Sequence, residues 1–349
     1  MTNQLRGVLT RINSETQSAF LPGRIIFDNI LIAHELLHDM SHKKGGKNAY
    51  MPLKLDMSKA YDRVEWPFLE SIMLKFGFSR TWIDHTMSLV SSISYSFLVN
   101  GALRGFIRPT KEIRQIDPLL PYLFLLYTEE LTMLREAKER RALTGVKIRR
   151  ESPSINHILF AHDTMLFCKA SVDEGMEVMS ILQDYEVASG QKINLGKCTV
   201  SFDASTSTHV VRREIRSILG MREVSHQGNY LGLPSHIGRS KREVFRYIME
   251  KVEDQMRGWK GKLLSQASKE VMIKAVTSAI PIFVMNYFIS VGIIDNLNSL
   301  MAKFFWCNAE GGRGIHWKAW DKLCKNKLDG ELGFKDLKCM NLTILAKQG

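Results

Sequence analysis

Apolar residues in the first third of the chain recur first at helical and then at strand spacing. Ile26, Ile30, Ala33 and Leu37 share one face of a helix. Met51, Leu53 and Leu55 then alternate with Pro52, Lys54 and Asp56, which predicts a half-buried strand ending near Asp56. Pro67 opens a helix striped by Phe68, Leu69, Ile72, Met73 and Phe76, and Gly77 closes it. A second helix is predicted from Arg80 to about Ser92. Tyr95–Val99 and Phe106–Arg108 read as strands around an Asn100-Gly101 turn. Pro118 to about Leu134 reads as one buried helix. Ile158–Ala161 and Thr164–Phe167 flank His162-Asp163, the pattern of a hairpin with its polar pair at the turn. Glu174–Ser189 is a helix ended by Gly190, and Lys192–Phe202 offers a strand or strand pair.

Beyond residue 205 the chain turns helical and basic. Phe245, Ile248, Val252, Met256 and Trp259 form an apolar stripe, interleaved with Lys241, Arg242, Arg246, Lys260 and Lys262. Val271, Ala275 and Ala279 predict a further helix stopped by Pro281. The last fifty residues are rich in Trp, Gly and Lys. Boundaries therefore fall near 205 and, more softly, near 295.

The 349 residues suffice for two or three domains. A net charge of +12 favours a polyanionic partner, most often nucleic acid, over a merely solvated basic surface. Five cysteines without a CxxC pair argue against a disulfide framework or zinc site and fit a reducing compartment. No apolar signal core opens the chain, and the apolar stretch 279–294 is too broken for a membrane span, so an intracellular site, cytoplasm or nucleus, is expected.

Candidate chemistry lies in three segments, around Asp56, Arg114 and Asp163. Nucleotidyl transfer needs divalent cations held on carboxylates from separate segments converging on one sheet. Asp56 at a strand end and Asp163 at a hairpin can converge if their strands pair; otherwise they are two unrelated acidic residues near turns.

The order of these segments resembles the reverse transcriptase of plant non-LTR (LINE-type) retrotransposons. The resemblance runs through Gln17-Ser-Ala-Phe-Leu-Pro-Gly-Arg24, Asp28–Glu35, Leu55-Asp-Met-Ser-Lys-Ala-Tyr-Asp-Arg-Val-Glu-Trp66, the Arg114 and Phe160 segments, Ser189–Asn194, Tyr230–Pro234, Ile315-His-Trp317 and Leu332–Leu337. It implies an α+β polymerase palm, an antiparallel sheet packed on helices, with partial fingers and a mainly helical thumb. On that reading 1–48 are partial fingers, 49–205 palm, 206–295 thumb and 296–349 a connection segment. It implies Mg²⁺ or Mn²⁺ on Asp56, the Met57 carbonyl and Asp163. Tyr61 would be a steric gate selecting dNTPs, with Arg114, Gln115 and Ile116 at the nucleotide pocket. RNA template and DNA primer would run along the thumb through Lys241, Arg242, Arg246, Lys260 and Lys262. Lys197 resembles a basic residue after the Gly-Gln-x-Ile-Asn segment, and Trp306, Trp317 and Trp320 either stack on bases or pack in a core.

The chain departs from the family pattern at telling positions. His162 stands where the first Asp of the carboxylate pair belongs, and a neutral imidazole suits Mg²⁺ poorly. Ile116 replaces a Gly that admits the nucleotide; Glu112 and Leu120 replace a Gly and a Ser; Glu331 breaks a Gly pair. Catalytic impairment is expected, with a non-catalytic basic nucleic-acid-binding remnant as the alternative reading. A Zn²⁺ site of His162, Asp56 and Asp163 would require three ligands to meet by chance. On that resemblance the sequence is expected to begin after the family's first fingers segment and to end before any Cys/His or ribonuclease H element, and shortened fingers are expected to expose an apolar sheet edge.

Overall fold

The computed structural model describes residues 1–42, 49–114, 117–129, 133–149, 151–202, 209–225, 228–234, 242–259, 264–285, 289–307 and 314–347. They form two compact units, Met1–Leu231 and Gly232–Gly349.

The first unit opens with α1 (Thr2–Ile12) and α2 (Ile26–His42), then β1 (Tyr50–Leu55), α3 (Trp66–Lys75) and α4 (Arg80–Ser91). A hairpin of β2 (Tyr95–Val99) and β3 (Ala102–Ile107) follows, then α5 (Leu120–Thr128) and α6 (Met133–Glu139). The chain continues through β4 (His157–Phe160), β5 (Asp163–Lys169), α7 (Val172–Ser189), β6 (Thr199–Val200), α8 (His209–Leu219) and β7 (Arg222–Glu223). Five strands form one sheet in the order β4-β5-β1-β6-β7. It is antiparallel except for the β6–β7 pair.

The alternation read at 51–56 reappears as a strand, but β1 is central, so Met51, Pro52, Leu53 and Leu55 are all buried. One side of the sheet carries a core built with Leu69, Ile72, Leu123, Phe124, Leu126 and Tyr185. A smaller cluster around Ala33, Leu36, Met165, Phe167 and Tyr230 takes in Ala33 and Leu37 of the α2 stripe.

Caps explain the helix limits. Ser171 Oγ accepts the Glu174 amide at the start of α7. Gly190 ends that helix at φ +69°, where a Cβ would meet Glu65 Cγ at 2.5 Å, so only glycine fits. Tyr127 Oη donates to the Ser189 carbonyl and accepts the Glu65 amide at 3.2 Å, tying α5 to this corner.

Two sequence expectations change. The helix predicted to run to Leu134 is seen as α5, ending at Thr128, and α6, starting at Met133, with 130–132 outside the described residues; at the end of α5 the Glu129 carboxylate accepts the Ser14 amide at 2.8 Å and Asn13 Nδ2 at 2.9 Å. Of 192–202 only β6 is strand, joined by an isolated bridge between Met57 and Ile193.

The second unit is helical: α9 (Arg242–Arg257), α10 (Gln266–Met272), α11 (Val291–Trp306), α12 (Trp320–Leu323) and α13 (Leu337–Ala346). The α9 stripe at Phe245, Ile248, Val252 and Met256 is buried as its spacing requires. Pro281 does not stop a helix. A π turn, Ile273–Thr277, follows α10, and Pro281 sits near the start of a 3₁₀ turn, Ile280–Val284, where a missing amide hydrogen costs nothing.

Candidate active site

Strand register brings the two carboxylates together. Leu55 faces Thr164, so Asp56 and Asp163 are the next residues along their paired strands. Phe160 pairs with Asp163, which makes Ala161 and His162 the turn residues and Asp163 the first of β5. The turn is thus one residue earlier than the sequence pattern placed it. Ala161 takes φ +53°, unusual for a residue with a Cβ. Gln17 holds this turn: its Oε1 accepts the amides of Ala161 and Ala19, both at 3.0 Å. Gln17 also bridges Leu159, whose carbonyl accepts Asn29 Nδ2 at 2.7 Å. Both amides lie in segments that carried the family resemblance, yet nothing in their spacing revealed this bracing role.

The backbone of Asp56 is clamped from the other side. Its amide donates to Cys198 Sγ at 3.3 Å and its carbonyl accepts the Asn194 amide at 2.8 Å. Burial pushes the Cys198 thiol up to about 11, so it stays protonated at neutral pH and acts as a hydrogen-bonding prop. Lys197 Nζ lies 3.9 Å from Asp56 Oδ2. Lys197 is exposed and Asp56 half-buried, so the pair adds little stability, but it brings an ammonium to the carboxylate. Sequence reasoning left Lys197 open between function and surface, and missed Cys198.

Three rings close the site. Tyr61 packs on Phe124, with centroids 4.5 Å apart, and meets His162 edge-on at 5.8 Å. Phe124 also meets His162 edge-on, at 6.5 Å. Burial, and then the charge of Asp163, raise the Tyr61 phenol above its ordinary range, and the same two causes raise Tyr230. His162 Nδ1 is buried and has no hydrogen-bond partner among the described residues. Met57 is buried beside Asp56 in the same clamped segment.

The Arg114 segment reaches the site through its backbone. The Glu112 amide donates to Val64 O at 2.9 Å and the Ile113 amide to Tyr61 O at 3.2 Å, while Trp66 Nε1 donates to Glu112 O at 2.8 Å. Glu112 is held at φ +93°, a region natural for glycine. Arg114 is exposed, and Leu120 is buried at the start of α5. Gln115 and Ile116 lie outside the described residues, as do Lys241, Lys260, Lys262 and the side chain of Arg242. Arg246 is exposed on α9. Of the tryptophans, Trp306 packs on Phe305 and Trp320 stacks on Phe334, whereas Trp317 is 78% exposed.

The donor set fits divalent cations poorly. Among the described residues no three His, Cys, Asp or Glu side chains gather as metal ligands. Two carboxylates, one beside an ammonium, and an imidazole do not supply the hard-oxygen shell that Mg²⁺ demands.

Among the described residues no helix is long and apolar enough to cross a membrane. Residues 1–235 match the family described as Reverse transcriptase (RNA-dependent DNA polymerase). The "Transposon TX1 uncharacterized 149 kDa protein" of Xenopus laevis is 25% identical over 280 residues, covering 79% of this chain and 20% of that protein. The "Retrovirus-related Pol polyprotein from type-2 retrotransposable element R2DM" of Drosophila melanogaster is 26% identical over 204 residues, covering 57% of this chain and 18% of that one. The chain thus spans about a fifth of either relative's length. Among solved structures, telomerase from Candida tropicalis with a TWJ fragment of telomeric RNA matches with a TM-score of 0.47 at 12% identity, covering 100% of this chain and 56% of that one. With the family matched over 1–235 and an α+β palm carrying the motif segments, the chain belongs to the reverse transcriptases, of non-LTR retrotransposon origin.

Proposed function

We propose that this chain is a reverse transcriptase domain that retains template–primer recognition and has lost efficient nucleotidyl transfer. In this reading residues 1–48 belong to the fingers, 49–205 are the palm, 206–295 the thumb and 296–349 a connection segment. The observation that carries it is the composition of the carboxylate site: His162 occupies the hairpin turn beside Asp163, and Lys197 lies 3.9 Å from Asp56. The family's reaction runs on two divalent cations held by hard oxygens, and this donor set is one carboxylate short. Losing a single preorganised electrostatic group costs on the order of 10²–10³ in rate, and losing a shared ligand costs more. Tyr61 keeps its position on Phe124 and against His162, so the dNTP-facing wall is retained while the charge is not. RNA template, DNA primer and dNTP are the partners this reading assigns, with Mg²⁺ or Mn²⁺ bound weakly.

Primer extension on an RNA template tests it, comparing the natural chain with a His162→Asp, Ile116→Gly double variant in Mg²⁺ and in Mn²⁺. The natural chain should give no extension above background and the double variant measurable extension. Extension by the natural chain defeats the proposal.

A further inference from the structure

The β2–β3 hairpin stands apart from every core. All residues of both strands are exposed, and among the described residues neither strand pairs with a third. Leu98 is 71% exposed, Leu103 74% and Phe106 63%. Phe97, Val99 and Ile107 add to them, so on the order of 600 Å² of apolar side chain meets water. That is at the upper limit of what a monomer leaves uncovered and near the roughly 800 Å² per partner of a standard interface. An isolated two-stranded hairpin is itself marginal in water.

The two edges differ. β3 carries Arg104, Gly105 at φ +69° and a register irregularity opposite Tyr95–Phe97, and Arg108 follows it over the Phe106 ring at 5.5 Å. Charge and bulge are the usual guards against strand addition. β2, Tyr95-Ser-Phe-Leu-Val99, has no charge, proline or glycine, and no acidic residue occurs between 85 and 111.

We propose that β2 is a homotypic docking edge: two copies of the chain pair β2 to β2 about a twofold axis, forming a four-stranded sheet. The arginines then lie on the outer strands, away from the seam, so like charges do not oppose pairing. Those guarded outer edges also stop growth at the dimer, giving a closed assembly rather than a filament. A polyanion is the competing occupant for a segment bearing Arg104, Arg108 and Lys111. The observations favour a second copy, because β2 itself carries no charge to meet a polyanion and the tip residues Leu98, Val99, Ala102 and Leu103 are aliphatic.

Sedimentation velocity over a concentration series tests this on the full chain, alongside Leu98→Lys and Leu103→Lys. These two leucines face each other across the hairpin and are almost equally exposed, but only Leu98 lies on β2, the strand proposed to form the seam. No hairpin residue is buried, so both variants should keep the natural melting profile. The natural chain should dimerise reversibly; Leu98→Lys should weaken the dimer by about tenfold or more, and Leu103→Lys by much less. A chain monomeric at all concentrations overturns the proposal. Equal loss from both variants overturns it in favour of face-to-face packing. A monomer that loses RNA affinity on Leu98→Lys overturns it in favour of a nucleic-acid contact.

Discussion

Glu112 is the residue whose backbone opposes its own side chain. Three hydrogen bonds around it, from its amide, from Ile113 and from Trp66, hold it at φ +93°. Non-glycine residues in such regions cost on the order of 1–3 kcal/mol. Glu112→Gly should therefore stabilise the first unit by about 1 kcal/mol in urea unfolding, after allowing for the looser unfolded chain. Glu112→Ala, which keeps the Cβ, should bring no gain. His157 gives a second prediction at this scale. It is buried between Thr16 Oγ1 at 2.8 Å and Asn156 Oδ1 at 2.9 Å, and burial, with the charges of Lys138 and Arg135, lowers its pKa to about 4. The unfolded chain takes the proton near pH 6.5, well before the folded one does. Stability should be intact above about pH 6.5 and fall by about 3 kcal/mol as pH drops to 4. A pH series of urea midpoints checks the slope, which His157→Gln should flatten. The replacements at 162, 116 and 112 were legible in the sequence, since each breaks a known pattern. The strain at Glu112 was not, because it depends on what Val64, Tyr61 and Trp66 hold in place.

Among the elements, the His162 hairpin depends on a side chain far away in sequence. Gln17 is buried and accepts two amides, one of them from the strained Ala161. Gln17→Ala would leave both amides unpaired, at about 2–4 kcal/mol together. Hydrogen exchange at Ala161 should then quicken by more than that of mid-β5 amides; an unchanged Ala161 rate would rule out the bracing role. Long periodic segments such as α2, α3, α4 and α7 were readable within a few residues, because one face of each meets a core. The turn at 161–162, the division of α5 from α6 and the 3₁₀ turn at Pro281 were not. The turn at 161–162, for instance, is held by Gln17, which accepts the Ala161 amide from 144 residues away.

For the whole molecule the net charge of +12 sets an expectation that is independent of catalysis. If the thumb assignment holds, affinity for RNA should fall about 10³-fold or more between about 50 and 200 mM salt. Arg246→Ala, which removes an exposed cation from α9, should lower the salt slope by about 1 without altering the melt. Binding indifferent to salt would refute the polyanion reading. The sequence by itself determined the family, the order of the motif segments and the presence of His162 beside Asp163, because these are matters of which residue stands where. Only the tertiary structure decided which residues support the site: Gln17 under the hairpin, Cys198 and Asn194 behind Asp56, Lys197 beside its carboxylate. It alone left β2 uncovered while burying β1, although both read as strands. A strand's period reports which faces alternate; what covers those faces depends on chain brought in from elsewhere in the fold.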